Sequence, residues 1–372
     1  MNQENAVLER YSEGANERQE ALCCPVDYQT DLLKLLPAEI IEKDYGCGDP
    51  SRYVREADVV LDLGSGSGKI CYMAAQLVGE KGKIIGVDMN NDMLALARKY
   101  QSEMAGKIGS DRVEFLKGKI QDLALDVDAM EAWLKSNPVT TADELTALES
   151  WKLQQTKETP LIADNSVDLV ISNCVLNLVS DAEKQQLVDE IFRVVKPGGR
   201  IAISDIISDE FIPEHLKADK ELWSGCISGA FQEKEMLDMF KEAGFIAVAY
   251  DKWAGEPWQV VEGIEFRSAT LTAIKPEQTA KIDKGHAVIY RGPFDSVTDD
   301  NGNEYPKGER MAVYESTFNV LKNEPFKDDF IAIIPAEEKE IKSCCGIAGK
   351  KRPATETKGG KHSSSTENTS CC

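Results

Sequence analysis

The chain has 372 residues, with 43 Lys and Arg against 64 Asp and Glu, a formal charge of −21; at ~150 residues per domain this is a two-domain length. An apolar fraction of 42% supplies a core for each domain, whereas the acid excess argues against a nucleic-acid partner, whose phosphates require a basic surface. No apolar run long enough to span a bilayer is present, and residues 1–21 lack the basic start and apolar centre of a signal peptide, so no membrane association and a cytoplasmic location are the expectation.

In chain order, Met1–Cys24 reads as a polar helix and Asp27–Ile41 as loop and short amphipathic helix. The following Tyr45-Gly46-Cys47-Gly48-Asp49-Pro50 reads as a mobile turn, in which burial of Cys47 is not expected because apolar neighbours are lacking. From Asp58 strands and helices alternate. Val59–Leu63 is a short apolar strand, Lys69–Val78 a helix, Lys83–Asp88 a strand, and Asn91–Tyr100 a helix. Val113–Leu116 and Val167–Ser172 are strands, Asp181–Val195 is an amphipathic helix stopped by Pro197-Gly198-Gly199, and Arg200–Ser204 is the fifth strand. This alternation predicts an α/β fold with a doubly wound, mostly parallel sheet. Gln121–Ala163 interrupts it as a polar helical excursion. After Asp209, predicted helices at Pro213–Leu222 and Gln232–Ala243 precede strands at Ala247–Tyr250, Glu265–Ala273 and His286–Tyr290. The expected organisation is a first domain over 1–208, a smaller α+β domain over 209–335, and a cysteine-containing tail over 336–372, disordered from Lys350 onward.

Ten cysteines call for an explanation. They lack the C-x-x-C spacing of a zinc ribbon, and in a cytosolic chain of this size structural disulfides are not expected. Six of them form the vicinal pairs Cys23-Cys24, Cys344-Cys345 and Cys371-Cys372, which read as accessory. The histidines, His215, His286 and His362, share no visible site. A lone cysteine is most simply a small buried hydrophobe, and Cys71, on a helix, can be that.

The run Leu61-Asp62-Leu63-Gly64-Ser65-Gly66-Ser67-Gly68 follows a strand and opens a helix, so its backbone can approach a ligand closely. Its G-x-G-x-G spacing, with Lys69 next, departs from the dinucleotide fingerprint. Asp62 suits a cationic amino-acid ligand better than a diphosphate. Asp88, at the end of the second strand, can accept both hydroxyls of a ribose. Together with Phe192–Arg200, these residues resemble the class I S-adenosylmethionine-dependent methyltransferases. The resemblance implies a cofactor site built from Asp62, Gly64, Ser65, Gly66, Gly68, Asp88, Met89, Ile120, Gln121 and Asn173, with Ile120 and Gln121 at the adenine.

Ser172-Asn173-Cys174-Val175-Leu176-Asn177-Leu178 leaves the carboxyl edge of the fourth strand, where an open α/β sheet faces its ligand. A thiol there is a poor base for oxygen chemistry and a good ligand for a soft metalloid. With Tyr45-Gly46-Cys47-Gly48, Gly68-Lys69-Ile70-Cys71-Tyr72 and Gly225-Cys226-Ile227-Ser228-Gly229-Ala230, the chain resembles the arsenite methyltransferases over most of 25–345. Ser343-Cys344-Cys345-Gly346 resembles the cysteine pairs near that family's C-terminus. Two departures stand out: the excursion is longer than the usual connection, and Gly225 stands where a glutamate commonly precedes the cysteine.

The resemblance implies that Cys47, Cys174 and Cys226 ligate trivalent arsenic, from arsenite to its methylated forms. It implies that Cys71 shares their crevice and serves a disulfide step with Cys174. It further implies a monomer whose disulfide is reopened by glutathione or thioredoxin. Two alternatives remain open at this level. One is a carbon or oxygen methyltransferase for a quinone- or sterol-like substrate, which would have no use for three thiols. The other is a non-catalytic metalloid-sequestering protein, against which the intact glycine loop and Asp88 argue.

Overall fold

The computed structural model describes residues 3–17, 26, 28–277, 281–341, 346–347 and 349–358. It divides into two compact units, residues 1–276 and 277–372.

The first unit is built on nine strands. They are β1 (Val59–Leu63), β2 (Lys83–Asp88), β3 (Val113–Lys117), β4 (Val167–Asn173), β5 (Val195–Ser208), β6 (Phe231–Gln232), β7 (Ile246–Trp253), β8 (Gln259–Val261) and β9 (Ile264–Ile274). The path through the sheet is β3-β2-β1-β4-β5-β9-β7, with β6 beside β5 and β8 beside β9. The five strands β1 to β5 are mutually parallel, and β9 runs antiparallel to both β5 and β7. Strand residues alternate between faces. Leu61, Leu63, Val170, Ile201 and Ile203 pack on one face against Leu187, Val188 and Ile191 of helix Lys184–Val194 and Met236 and Phe240 of helix Glu233–Glu242. Val60, Leu169, Ile171 and Ala202 pack on the other, against helix Lys69–Leu77 and its neighbours Asn91–Lys99 and Gln101–Ile108. The strand order reverses between β1 and β4, and such a switch point opens a crevice at the carboxyl ends of the strands.

The excursion after β3 is a pair of helices, Val127–Ser136 and Ala142–Glu158. Trp133 and Trp151 stack between them at 5.7 Å, and a capping box of Thr141 and Glu144 starts the second. Among the described residues no helix is long and apolar enough to cross a membrane.

The boundary expected at Asp209 does not fall there. β5 runs on to Ser208, and β9 pairs with it from Arg200 to Ser208, so two of the three strands expected in a second domain, those at 247–250 and 265–273, complete the first sheet. Their isolation in sequence hides this pairing, because an antiparallel return strand carries no local signal of its partner. The second unit begins at Glu277. Its antiparallel sheet joins Arg310–Ala312, Ala287–Tyr290 and Phe330–Ile333 in that order, and a helix at Glu315–Leu321 contributes Phe318 and Leu321 to the same core. Part of the expected tail also belongs here: Arg352, only 5% exposed, pairs with buried Asp283 at 2.6 Å. Cys23, Cys24, Cys344, Cys345, Cys371, Cys372 and His362 lie outside the described residues.

Candidate active site at the switch point

A cavity of about 290 Å³ occupies the crevice. Its floor is the loop after β1. Gly64 turns there with φ +66°, and a Cβ on it would stand 2.4 Å from Val175 Cγ1, so only glycine fits both the conformation and the space. The N–H of Gly66 donates to Asp88 Oδ2 (2.8 Å) and that of Asn90 to Asp88 Oδ1 (2.8 Å), which ties the glycine loop to the end of β2. Ser65 Oγ is buried without a hydrogen-bond partner among the described residues.

Asp62, Gly64, Ser65, Gly66, Asp88 and Met89 all line this cavity. Ile120, Gln121, Asn173 and Cys174 line it as well. Gly68 does not: it caps helix Lys69–Leu77 with φ +85°, and a Cβ there would meet Phe115 at 2.8 Å. Its glycine is required by packing behind the loop rather than by a ligand. The helix Gln3–Asn16 closes the cavity with Val7, Leu8 and Tyr11. It is held by Asn90 Nδ2, which donates to Leu8 O (3.2 Å) and Ser12 Oγ (3.1 Å), and by a Glu4–Lys119 ion pair of 2.6 Å. Nothing in the polar composition of that helix marks it as a cavity wall.

The carboxyl groups here are electrostatically frustrated. Burial, aided by the charges of Asp44 and Asp88, pushes Asp62 up to about 7 despite the bond it accepts from Cys71. Burial also raises Asp88, against the backbone N–H groups that lower it. Such a site favours a cation.

Beside the cavity, at Cys174, three cysteines converge. Cys47 and Cys174 form a disulfide of 2.06 Å, and Cys226 Sγ lies 3.3 Å from the Cys174 carbonyl. All three belong to one buried cluster with Ile206, Ile212, Ile227 and Phe266. The expectation that Cys47 is not buried is therefore corrected: it is 4% exposed. Its apolar surroundings come from distant elements, so adjacent sequence could not show them. Asn173 Oδ1 accepts from the N–H groups of both Cys47 (2.9 Å) and Gly48 (3.0 Å), and Ser268 Oγ donates to Cys47 O (2.5 Å). Gly46 and Gly48 permit this docking, since a Cβ would meet Asn173 Nδ2 at 2.1 Å and Ser204 Oγ at 2.4 Å, respectively.

Cys174 and Cys226 both adopt left-handed backbone conformations, with φ of +59° and +63°. Each is supported by a residue the sequence reading passed over. Asp205 Oδ2 accepts from Leu176 N (2.9 Å) and Asn177 N (3.4 Å), which shapes the turn after Cys174. Asn177 Nδ2 donates to Ile206 O (2.7 Å) and Cys226 O (3.3 Å), which joins the Cys226 loop to the sheet. Asp205 is fully buried, and burial holds its carboxyl up at about 7. Its place near the carboxyl end of β5 was the available signal.

Cys71 is not brought together with the other three. Its side chain is fully buried in the opposite core, and its Sγ donates to Asp62 Oδ2 at 3.2 Å. Burial and then Asp62 push its thiol well above the usual range. The disulfide partner of Cys174 is Cys47, not the expected Cys71. Helix Lys69–Leu77 turns Cys71 toward the sheet interior, a direction that a motif in one dimension does not carry.

The sequence comparisons agree with this geometry. A family described as a methyltransferase domain matches residues 55–150 and 149–244, and a domain of unknown function matches 277–362. The arsenite methyltransferase of Mus musculus is 33% identical over 82% of this chain and 74% of its own. That of Aquipseudomonas alcaligenes is 28% identical over 86% of each. The crystal structure of CrArsM, an arsenic(III) S-adenosylmethionine methyltransferase from Chlamydomonas reinhardtii, is 26% identical with a TM-score of 0.58, covering 86% of this chain and all of that one. Thiols gathered beside a methyltransferase cavity, in a chain so related along most of its length, place this protein in the arsenite methyltransferase family.

Proposed function

We propose that the protein transfers methyl groups from S-adenosylmethionine to trivalent arsenic held by Cys174 and Cys226, with Cys47 as the third ligand of inorganic arsenite. The observation that carries this reading is the convergence of those three thiols beside the cofactor cavity, with Cys174 lining it.

The cavity fits the cofactor. Asp62 provides an anionic partner for the amino-acid end, Asp88 an acceptor for ribose hydroxyls, and Ser65 Oγ a buried polar atom lacking a partner. Ile120 and Gln121 wall the adenine end. Bound there, S-adenosylmethionine supplies an electrophilic methyl group on a sulfonium. The chain's own part is capture and alignment. Three thiols replace the three hydroxides of arsenite and release three waters, which leaves the arsenic lone pair free on its fourth side. The buried apolar cluster around the cysteines excludes water that would compete. Fixed geometry then permits in-line attack without a general base. An As–C bond forms as the methyl–sulfonium bond breaks.

Methylation leaves arsenic formally pentavalent. Cys47 and Cys174 then couple as a disulfide and return two electrons to arsenic. Cys226 retains the methylated trivalent product, and a water-derived hydroxide fills its open position with release of a proton. An external thiol of the glutathione or thioredoxin class reopens the disulfide by exchange.

Incubation with arsenite, methyl-labelled S-adenosylmethionine and a thiol, followed by arsenic speciation, tests this reading. Labelled mono- and dimethyl arsenicals are expected. Arsenic bound stoichiometrically without label transfer would instead identify a sequestering protein.

A further inference from the structure

The strongest ligand-type side chain to which methyl transfer gives no direct contact with arsenic or cofactor is Asp205. Its carboxylate is fully buried, and its bonded partners are the uncharged N–H groups of Leu176, Asn177 and Ile206. It does not point away from the thiols. Ligand atoms of Cys47, Cys174 and Asp205 all lie within 4.8 Å of one another. Three-coordinate arsenic takes sulfur and has no need of a carboxylate there. Borderline divalent ions differ, because they accept thiolate sulfur and carboxylate oxygen together in a tetrahedral set.

We propose that reduction of the Cys47–Cys174 disulfide creates a binding site for a divalent cation of the zinc or cadmium type, with Cys47, Cys174 and Asp205 as its protein ligands. Tetrahedral ligands of such an ion stand roughly 3.3–3.8 Å apart, given bonds of about 2.0–2.3 Å. With the disulfide closed the three ligand atoms already lie within 4.8 Å of one another, and its reduction frees the two sulfurs to take up that spacing. The supporting shell is already present. Three N–H groups fix the Asp205 carboxylate, Asn173 fixes the backbone of Cys47, and Ser204 O fixes that of Cys174 through its N–H at 2.8 Å. The two thiols, and Asp205 where it is still protonated, lose their protons to solvent as the ion binds. The fourth position is open to water or to Cys226. Occupation removes two arsenic ligands at once and prevents the disulfide from forming. The ion is therefore a competitive inhibitor with respect to arsenite, and a protectant of both thiols against oxidation.

The inference requires only the thiol cluster and not the proposed chemistry, so failure of methyl transfer leaves its test intact. The probe is Co²⁺ alone, added anaerobically to the phosphine-reduced full chain in which Cys23, Cys24, Cys344, Cys345, Cys371 and Cys372 are replaced by Ser. One Co²⁺ per chain should bind with a thiolate-to-cobalt charge-transfer band, release protons, and be displaced by Zn²⁺. Cys47→Ser and Cys174→Ser should abolish the band, and Cys71→Ser should keep it. Asp205→Asn should weaken binding on the order of 10–100-fold. Because that variant also alters a buried turn, the same chain oxidised to the Cys47–Cys174 disulfide is the second measurement, and it should bind no Co²⁺. Unchanged affinity in a folded Asp205→Asn, or a band that survives in Cys47→Ser or in the oxidised chain, would overturn the proposal.

Discussion

Asn173 stands between two roles, and replacing it by Ala separates them. The sequence motif places it among cofactor residues, and it does line the cavity. Its amide oxygen, however, accepts from the N–H groups of Cys47 and Gly48 at 2.9 and 3.0 Å. Each such bond contributes about 0.5–1.5 kcal/mol net, and an orphaned buried donor costs about 1–3 kcal/mol. Asn173→Ala should therefore disfavour docking of the 45–50 loop by about 1–3 kcal/mol, a factor of roughly 5–150. With Cys47 as the proposed third arsenite ligand, the dissociation constant of arsenite should rise by up to that factor, measured by titration of the reduced protein. Formation of the Cys47–Cys174 disulfide under a mild oxidant should slow in parallel. Asn173→Asp, which keeps the acceptor, should restore most of both. S-adenosylmethionine affinity should change less than arsenite affinity in the Ala variant. The opposite pattern, lost cofactor affinity with intact arsenite binding and disulfide formation, would refute the loop-holding role and return Asn173 to the cofactor.

Asp62, held up at about 7 chiefly by burial, keeps a proton in the fold that it loses near pH 4 when unfolded, so its contribution to stability declines as pH rises from about 4 to 7. Cofactor affinity should move the other way, rising from about pH 6 to 7.5 as the carboxylate ionises to meet a cation; calorimetry should find this slope absent in Asp62→Asn. Cys71, fully buried with its thiol raised by burial and by Asp62, should be alkylated far more slowly in the native reduced protein than after denaturation, and mass spectrometry reading equal rates would disprove its interior placement. Cys174→Ser and Cys226→Ser should lose methyl transfer to arsenite and to trivalent methylarsenite alike, whereas Cys47→Ser should keep activity on methylarsenite, which has only two positions left for thiolates; a Cys174→Ser enzyme active on methylarsenite would overturn these roles.

What the sequence made legible was local. The Leu61–Gly68 run, Asp88 and Cys174 could be placed because a strand end, a glycine turn and a helix start follow one another in the chain, and the parallel sheet makes their carboxyl ends neighbours. What it hid depended on long-range pairing. The nine-residue ladder between β5 and β9 erased the boundary expected at Asp209. The burial of Cys47 depends on Asn173, Ser204 and Ser268, separated from it by more than a hundred residues. The inward turn of Cys71 depends on helix rotation, and a motif gives spacing without direction. Asp205 was missed because one acid within an apolar strand reads as incidental until its three N–H partners are seen.

The two cysteines with positive φ show how the fold keeps its reactive thiols. A side-chain-bearing residue in the left-handed region persists only where its surroundings over-determine it. At Cys174 the restraint is the Asp205-bound turn, and at Cys226 it is the Asn177 amide. Asn177 also donates its own N–H to Asp205, so the two restraints share a residue. Arsenic capture needs sulfurs that neither collapse onto the apolar cluster nor swing into the cofactor cavity. A backbone locked in an uncommon conformation fixes the Cα–Cβ direction at both positions, leaving one side-chain rotation to each thiol. Cys47 lies on the loop docked through Asn173, and so supplies the adjustable third sulfur. In the proposed reaction the cost of two strained residues is thereby converted into alignment before arsenic arrives, which is where a reaction without a general base must obtain its rate.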